Sequence, residues 1–507
     1  MFENMINSFL SLFSYNRQKQ WKRYLTEPAE VQREQWEMLL RKAQYTEYGK
    51  KYGFGGMQGY EDYASAVPLT DYEHLRPYIE RMQNGEKDIL WPGRVKYYAM
   101  SSGTTSTRSK FIPIPDEILE NNHFRGGKDM LLIYLNRHPD SKMLMGKSLK
   151  LGGTTRYDAE RDIYIGDLSG IMIDRLPFWA QYKSSPPDDI SRIGDWHEKL
   201  ELIRRRVIKE DIRSLVGIPT WFMKLLQQML DETGKERVAD IWPNLEVFFH
   251  GGISFQPYRA YFDRLIGKPD MRYMEIYNAS EGFFALQSDL DDPGLQLMLD
   301  YRIFYEFIPM KDFRGTDSKR VIPLEEVEEG VNYALVISSA SGLWRYIVGD
   351  TVSFTSLKPY KIKITGRTKH FLNIVGEEVV VENTDRALKR AAERFGLNII
   401  DYTVSAVPPA PDRPGYHEWM IEFETPPTDP EAFAAELDAF LRELNSDYDI
   451  KRTGNISLLP LKMHVARKGL FDSWMDRHNK LGGQHKVPRL TADRSFMEEL
   501  LIMNNEQ

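Results

Sequence analysis

The sequence predicts an α/β protein with two domains, a large one built on mainly parallel sheets and a small α+β domain at its C-terminal end. Three observations lead to this prediction. At 507 residues the chain exceeds a single compact core. Between residues 148 and 276, short β-branched and aromatic runs alternate with helical patterns, which is typical of parallel sheets. From about 297 to 375 strand patterns follow one another closely, which indicates an antiparallel or barrel-like subdomain.

Helices are predicted where apolar residues recur at a spacing of three to four, and strands where short β-branched and aromatic runs occur. Asp116 is expected to cap the second of these helices. The predicted helices are residues 28–46, 116–135, 188–209, 219–230, 255–266, 383–394 and 430–444. The predicted strands are residues 97–100, 111–114, 148–151, 163–165, 215–218, 247–250, 273–276, 303–308, 333–338, 351–354, 361–365, 402–406 and 418–424.

The pattern changes after Gly366-Arg367, where a shorter mixture of helices and strands begins. We therefore place a domain boundary near residue 370. The N-terminal domain would comprise residues 1–370 and the C-terminal domain residues 371–507. We expect the smaller domain to be mobile relative to the larger one.

Composition narrows the classes of function. The net charge of −7 argues against nucleic acid as a partner, because phosphate neutralisation requires clustered Lys and Arg. The chain contains no cysteine, which excludes disulfides, thiolate metal sites and cysteine nucleophiles. No apolar run is long enough to span a membrane, and no export signal is recognised, so we expect a cytoplasmic protein without a membrane partner. Residues 1–13 are predicted to form an amphipathic helix on the protein body, with a membrane-surface helix as the alternative.

Ten polar residues, Ser101–Lys110, lie between two short predicted strands. Hydroxyl side chains dominate this loop, and Gly103 permits close approach of the backbone to a ligand. Small residues with free N–H and O–H donors form the concave donor set that a polyphosphate needs. A polar surface turn is the alternative, because Ser, Thr and Gly are common in turns.

Two further segments follow predicted strands of the parallel region, residues 250–256 and 277–282. Parallel sheets bind ligands at the carboxyl ends of their strands, so both segments are candidate sites. Within the second segment, Glu281 supplies a carboxylate, a ligand of the kind that a hard cation prefers.

Five segments in this order resemble the adenylate-forming enzymes, a superfamily that includes acyl-CoA synthetases and peptide-synthetase adenylation domains. They are residues 101–110, 277–282, 346–350, 366–367 and 482–489. The last of them ends in Gln-His-Lys-Val-Pro-Arg, and this run in particular resembles the auxin-responsive-promoter family of acyl acid–amido synthetases. The resemblance extends over nearly the whole chain, which we interpret as a bacterial member. It implies a large N-terminal adenylate-forming domain and a small mobile C-terminal domain.

The resemblance also implies a two-step reaction that uses ATP and Mg²⁺. A small-molecule carboxylic acid is adenylated with release of pyrophosphate, and an amino acid or other amine then accepts the acyl group with release of AMP. Glu281 and Lys486 are the expected catalytic residues: Glu281 binds Mg²⁺, and Lys486 offsets charge at the reacting centre. The residues expected to bind the nucleotide are Ser101, Ser102, Gly103, Thr104, Thr105, Gly252, Ile253, Tyr277, Asn278, Ala279, Ser280, Asp350 and Arg367.

Each assignment has a structural alternative. Ser280-Glu281 is also a helix-capping pattern, and Gly349-Asp350 is also a hairpin turn. Arg367 is otherwise a surface arginine, and Lys486 otherwise belongs to a basic loop. The apolar stretch 171–179 is expected to contribute to the acyl pocket, with core packing as the alternative.

The chain departs from the family pattern in two places. Ser106 replaces a glycine found in many relatives, and residues 376–382 lack a lysine that plant members carry. Three other functions remain open: an acyl-CoA ligase with the same intermediate, a non-catalytic ATP-binding sensor, and a purely structural role for all five segments. The sequence does not identify the acid, the amine or the oligomeric state.

Overall fold

The structure is a computed structural model. It describes residues 16–101, 110–253, 255–368, 371–372, 374, 377, 379–409, 413–453, 458–478, 480, 486–491 and 494–506. The predicted N-terminal helix at residues 1–13 and most of the hydroxyl-rich loop, residues 102–109, lie outside the described residues.

The described residues form helices and strands throughout both predicted domains. The helices are α1 (residues 16–26), α2 (Pro28–Ala43), α3 (Glu47–Tyr52), α4 (Tyr60–Ala66), α5 (Tyr72–Gln83), α6 (Asp116–Ile118), α7 (Phe124–Arg137), α8 (Leu168–Asp174), α9 (Phe178–Tyr182), α10 (Asp188–Ser191), α11 (Trp196–Val207), α12 (Pro219–Thr233), α13 (Arg259–Ile266), α14 (Val381–Phe395), α15 (Pro430–Leu444), α16 (Ser446–Arg452), α17 (Leu470–Arg477) and α18 (Ser495–Asn505). A π-helical turn, Leu119–His123, joins α6 to α7.

The strands fall into one large sheet and three small ones. They are β1 (Tyr97–Ser101), β2 (Lys110–Pro113), β3 (Lys147–Lys150), β4 (Thr155–Asp158), β5 (Ile163–Gly166), β6 (Ser184–Ser185), β7 (Ile212–Gly217), β8 (Val247–Gly251), β9 (Arg272–Ala279), β10 (Gly282–Gln287), β11 (Leu295–Leu297), β12 (Ile303–Pro309), β13 (Ile322–Pro323), β14 (Asn332–Ser339), β15 (Tyr346–Leu357), β16 (Tyr360–Arg367), β17 (Phe371–Leu372), β18 (Val379–Val380), β19 (Ile399–Val407), β20 (Tyr416–Phe423), β21 (Lys462–Ala466) and β22 (Leu490–Thr491).

The large sheet has twelve strands in the order β13-β12-β14-β15-β16-β11-β10-β9-β8-β7-β3-β6. Strands β6, β3, β7, β8 and β9 are parallel, and from β9 onward each pairing is antiparallel. The predicted mixed α/β fold is therefore confirmed. The strand-rich region is antiparallel as predicted, and its strands extend the parallel sheet rather than close a barrel of their own.

Two small sheets complete the architecture around the site. In the first, of order β2-β1-β5-β4, the antiparallel pair β1–β2 flanks the hydroxyl-rich loop. In the second, β19 and β20 pair antiparallel, and β21 and β22 add on either side in parallel. This second sheet and α14–α18 contribute two apolar cores formed entirely by residues after 371. The proposed boundary at residue 370 stays a prediction.

Helices cover both faces of the parallel strands. On one face, α12 begins with Pro219, whose fixed φ suits the first helical turn, and ends at Gly234 with φ +65°. Its buried side includes Phe222, Leu225 and Met229, and each such side chain stabilises the fold by roughly 1.5–3 kcal/mol. On the other face, α7 and α8 contribute to a separate core. The carboxyl ends of β3, β7, β8 and β9 thus open at one edge between two helical layers.

Several local predictions were wrong. Asp116 is the first residue of α6 and caps nothing, since Pro115 holds the capping position. Residues 277–279, predicted to follow a strand, belong to strand β9, and residues 346–350 belong to strand β15. Ser280-Glu281 form the turn between β9 and β10 and cap no helix, because β10 pairs back on β9. Residues 188–209 form two helices, α10 and α11.

Among the described residues, none of the helices is long and apolar enough to cross a membrane.

Candidate active site

A cavity of about 1020 Å³ lies at the carboxyl ends of β8 and β9, between the large sheet and residues 381–393 and 486–489. Every described residue that the sequence assigned to the nucleotide, the metal ion or catalysis, apart from Ser101, lines it, whereas no described residue of the expected acyl stretch 171–179 does. The lining residues among those assigned are Gly252, Ile253, Tyr277, Asn278, Ala279, Ser280, Glu281, Asp350, Arg367 and Lys486. Ser101 ends β1, and the structure does not describe its side chain. Ser102, Gly103, Thr104 and Thr105 lie outside the described residues.

Asp350 is held in place by two neighbours. The Tyr277 hydroxyl donates to its Oδ2 at 2.6 Å, and Arg367 Nε donates to its Oδ1 at 2.9 Å. Asp350 and Arg367 are directly opposite each other in the antiparallel pair β15–β16, so the backbone register sets this contact. The carboxylate raises the pKa of Arg367, and burial together with Asp350 raises that of Tyr277 well above its ordinary value. Each Asp350 oxygen retains a lone pair for a ligand hydroxyl.

Glu281 is a buried residue at the β9–β10 turn, where it is 7% exposed, and its side chain is a carboxylate. Burial raises its pKa, and the positive charge of Lys110 opposes that rise. A buried carboxylate without a bound cation is energetically costly, which makes Glu281 a suitable ligand for one. No group of three or more His, Asp or Glu side chains that could hold a metal is found in the described part of the chain. A single buried carboxylate suits a cation whose other ligands would be phosphate oxygens and water.

Lys486 reaches the cavity from the C-terminal part of the chain. Its Nζ donates to the backbone carbonyl of Gly252. Burial, followed by the positive charge of Arg367, lowers the pKa of Lys486 to about 8. Gly252 has φ +84°, a backbone conformation that favours glycine, and a Cβ there would lie 2.8 Å from Lys486 Nζ, so a side chain at this position would displace the end of the lysine.

Arg489 positions the segment that carries Lys486. Its guanidinium pairs with Asp401, donates to the Tyr402 carbonyl at 2.8 Å, and donates to the Tyr258 hydroxyl of the N-terminal part. The following residues form β22, which pairs with β19. Lys486 thus points into the cavity from a segment that Arg489 anchors both to the C-terminal sheet and to Tyr258 of the N-terminal part.

Sequence reasoning missed several residues that line the cavity. Lys110 opposes the charge of Glu281, yet the sequence assigned it no separate role. Glu275 precedes the motif around Tyr277, and burial followed by the charge of Asp385 raises its pKa to about 7. Arg489 belonged to a recognised motif without a function. Lys110 and Arg489 could therefore have been recognised from the sequence, as charged residues within or beside a motif. The environment of Glu275, by contrast, depends on its contacts with α14 and cannot be read from the sequence.

The fold is that of the adenylate-forming ligases. A crystal structure of 2-hydroxyisobutyryl-CoA ligase in the postadenylation state superposes with a TM-score of 0.61 at 13% identity, covering 96% of this chain and 94% of that one. The structure of the acyl acid amido synthetase GH3.15 superposes with a TM-score of 0.78 at 18% identity, covering 96% and 95% of the two chains.

The sequence identifies the family within that class. Residues 17–271 match the GH3 family N-terminal domain, residues 296–367 its central domain, and residues 382–495 its C-terminal domain. The chain therefore belongs to the GH3 family.

Several relatives are similar to this chain along most of their length. Indole-3-acetic acid-amido synthetase GH3.3 of Arabidopsis thaliana is 25% identical, with 91% of this chain and 89% of the relative covered. Jasmonoyl–L-amino acid synthetase GH3.5 of Oryza sativa subsp. japonica is 24% identical, with 94% and 95% covered. The 4-substituted benzoates–glutamate ligase GH3.12 of Arabidopsis thaliana is 23% identical, with 86% and 88% covered.

Proposed function

We propose that this protein is an ATP-dependent acyl acid–amido synthetase. It adenylates a small-molecule carboxylic acid with release of pyrophosphate and transfers the acyl group to an amino acid or other amine with release of AMP. The single observation that carries the proposal is the convergence of Asp350, Glu281 and Lys486 on one cavity at the carboxyl edge of the sheet. The three residues are far apart in sequence, and each supplies a group that acyl adenylation requires. The amide-forming step rests on membership of the GH3 family, in which similar proteins are named as amido synthetases and amino acid synthetases.

The ribose would bind at Asp350. Its carboxylate is already oriented by Tyr277 and Arg367, and an acceptor-only group can take both ribose hydroxyl hydrogens. The adenine would lie against Tyr277 and the Gly252-Ile253 segment, and Asn278, Ala279 and Ser280 would complete the nucleotide contacts. The phosphates would then extend toward Glu281 and Lys110, where the loop 101–105 is expected to supply backbone and hydroxyl donors.

Glu281 fits Mg²⁺ on the ATP phosphates, and the bound ion would supply charge neutralisation along the polyphosphate. The protein's own contribution is to keep one carboxylate buried and oriented in a turn between two strands. Lys110 balances that carboxylate and approaches the same phosphates as a second, fixed positive charge.

In the first step a carboxylate oxygen of the acid attacks the α-phosphorus of ATP. The new P–O bond forms as the bond to pyrophosphate breaks, and negative charge grows on the α-phosphate oxygens. Lys486 lies where its ammonium can meet that charge, because Nζ is fixed by the Gly252 carbonyl at the end of β8. A preorganised cation in a partly buried site stabilises developing charge more than water does.

The acyl group would lie beside α8. Ile171 is completely buried and belongs to the core, but Met172 and Leu176 retain accessible surface while packing against it. Asn278 Nδ2 lies 3.9 Å from Met172 Sδ, so α8 contacts the nucleotide segment directly. The side chains of Phe178 and Trp179 lie outside the described residues.

The second step requires an amine to reach the carbonyl of the acyl-adenylate. Lys486 closes the cavity in this arrangement, so we propose that the domain after about residue 370 rotates between the two steps. Exposed contacts join the two parts elsewhere, namely Lys224 with Asp472 and Lys389 with Gln256. Exposed pairs of this kind contribute about 0–1 kcal/mol, so separating them costs little.

The test is pyrophosphate release measured over a panel of carboxylic acids with pooled amino acids present. We expect acid-dependent release, and mass spectrometry should identify an amide product. Product formation with coenzyme A instead of an amine would make the protein an acyl-CoA ligase. If the protein bound ATP but released no pyrophosphate with any of the acids, it would be a non-catalytic sensor, and the proposal would be wrong.

A further inference from the structure

Lys150 places a positive charge on the sheet face that carries the proposed acyl site. Leu149 and Leu151 belong to the core on one side of the sheet, so Lys150 between them projects to the other side. Lys150 is opposite Val216 of β7, Val216 is opposite Phe249 of β8, and Phe249 is opposite Met274 of β9. Those three residues lie in or against the core that α7 and α8 also join.

Two side chains of the β7 segment, Val216 and Ile218, lie between Lys150 and the reacting centre. Lys150 is opposite Val216, and Ile218 follows two residues later at the end of β7. Ile218 Cγ1 lies 3.5 Å from the position that a Cβ on Gly252 would take, and Lys486 Nζ lies 2.8 Å from the same point. Val216 and Ile218 are both partly buried, so they retain accessible surface.

Helix α8 crosses the chain just beyond Lys150. A Cβ on Gly152, two residues later, would lie 2.8 Å from Ile173 Cδ1 of that helix. The partly buried side chains of α8, Met172 among them, pack against the same core as Val216. In the proposed arrangement the acyl group lies between Met172 and Leu176 of the helix and Val216 and Ile276 of the sheet, with Lys150 at its far end.

Lys150 has no carboxylate partner among the described residues. Its Nζ donates to Ser184 Oγ at 2.7 Å, and that hydroxyl donates onward to the Ala180 carbonyl at 2.6 Å. Burial alone lowers its pKa to about 8, with no contribution from a neighbouring charge. An ammonium inside a protein without a counter-charge is unfavourable, and a ligand anion removes that penalty.

We propose that Lys150 makes the far end of the acyl pocket an anion site, so that the preferred acyl acid is a dicarboxylic acid. One carboxylate reacts at Lys486, and the second forms an ion pair with the Lys150 ammonium. Two strand spacings of about 4.8 Å each separate β3 from β8, and the Lys150 ammonium leans further away, to Ser184 on β6. An extended acid of roughly six to ten carbons, together with the ion pair at its end, spans two to three such spacings. This inference rests on the proposed function, because it names the substrate class of the same site.

The test compares diacids of six to ten carbons with monoacids of equal carbon number, using pyrophosphate release with the wild-type protein. We expect kcat/KM for the best diacid to exceed that of its matched monoacid by about 10- to 100-fold, the range for a hydrogen-bonded charged group. Lys150→Met should abolish or reverse this preference while monoacid activity persists. Lys150→Arg, which keeps the charge, should retain the preference for diacids. Lys147→Met is the matched control, because Lys147 lies on the same strand with its Nζ 2.8 Å from Glu210.

A pH series distinguishes a lysine that binds the second carboxylate from one with a purely structural role, which would not affect the ratio of the rates with the two acids. The diacid-to-monoacid ratio of kcat/KM should fall as the pH rises through about 8 in the wild type and stay constant in Lys150→Arg. Taking the ratio at each pH cancels the titration of Lys486, which acts on both acids alike. This arm uses only wild-type and charge-conserving proteins, so it stands even where Lys150→Met does not fold.

A wild-type preference for monoacids, or a diacid preference that survives in Lys150→Met, would overturn this inference and leave the proposed function intact. Absence of pyrophosphate release with every acid would instead contradict the proposed function itself.

Discussion

Replacing Asp350 tests the nucleotide site through binding rather than turnover. The carboxylate is oriented by hydrogen bonds of 2.6 Å from Tyr277 and 2.9 Å from Arg367 before any ligand arrives. Two ribose hydroxyls would add two bonds to a charged acceptor, each contributing about 1.5–3 kcal/mol. At the lower end the sum is about 3 kcal/mol, so Asp350→Ala should raise KM for ATP by roughly 10²-fold.

The chemistry should be affected much less than binding. Ribose contacts are made equally in the ground and transition states, so kcat should change by only a few fold. Asp350→Asn keeps the shape and one acceptor oxygen, so its KM should lie between those of wild type and Asp350→Ala. The assay is pyrophosphate release at varied ATP, with Asp211→Ala as control because Asp211 pairs with Arg213 at the opposite end of the sheet. An unchanged KM with a collapsed kcat would refute the ribose assignment.

Two further predictions concern Glu281 and Lys486. Glu281→Gln should abolish Mg²⁺-dependent pyrophosphate release without lowering Tm in the absence of nucleotide. The folded protein raises the pKa of this carboxyl, so its ionised form destabilises the fold at neutral pH. A large fall in Tm, or normal activity, would contradict the role of Glu281. The rate of acyl-adenylate formation should fall as the pH rises through about 8, where Lys486 loses its proton, and Lys486→Arg should extend activity to higher pH. An alkaline limb unchanged in Lys486→Arg would show that another group titrates.

Sequence patterns predicted the sheet well because they report local burial. The runs at 215–218 and 247–250 are strongly apolar, and the structure places both in central parallel strands. Strand ends were less predictable. Asn278 and Ala279 have low strand propensity, yet they continue β9 because β10 pairs back on them through Phe283 and Gly282.

The site was predictable where its residues form local motifs and not where it depends on distant contacts. Asp350 was recognised from its motif, but its partner Arg367 is fixed only by the register of β15 and β16. Lys150 carries no local signal, because its environment comes from Val216 and Ser184 on separate strands. The π-helical turn before α7 could not be predicted from the sequence either, because Asn122 within it donates a hydrogen bond to the backbone carbonyl of Phe283, 161 residues away.

The most direct test of the central claim separates the two half-reactions in Lys486→Ala. Lys480→Ala is the matched control, because that lysine lies in the same C-terminal part with its Nζ 5.0 Å from the centre of the Trp474 ring. Pyrophosphate release with acid and ATP should fall by about 10²-fold or more, the loss expected for a cation that meets developing charge. Supplied with preformed acyl-adenylate, the same variant should form amide at a near-normal rate. Equal losses in both half-reactions would contradict an account in which Lys486 serves adenylation and then leaves the site.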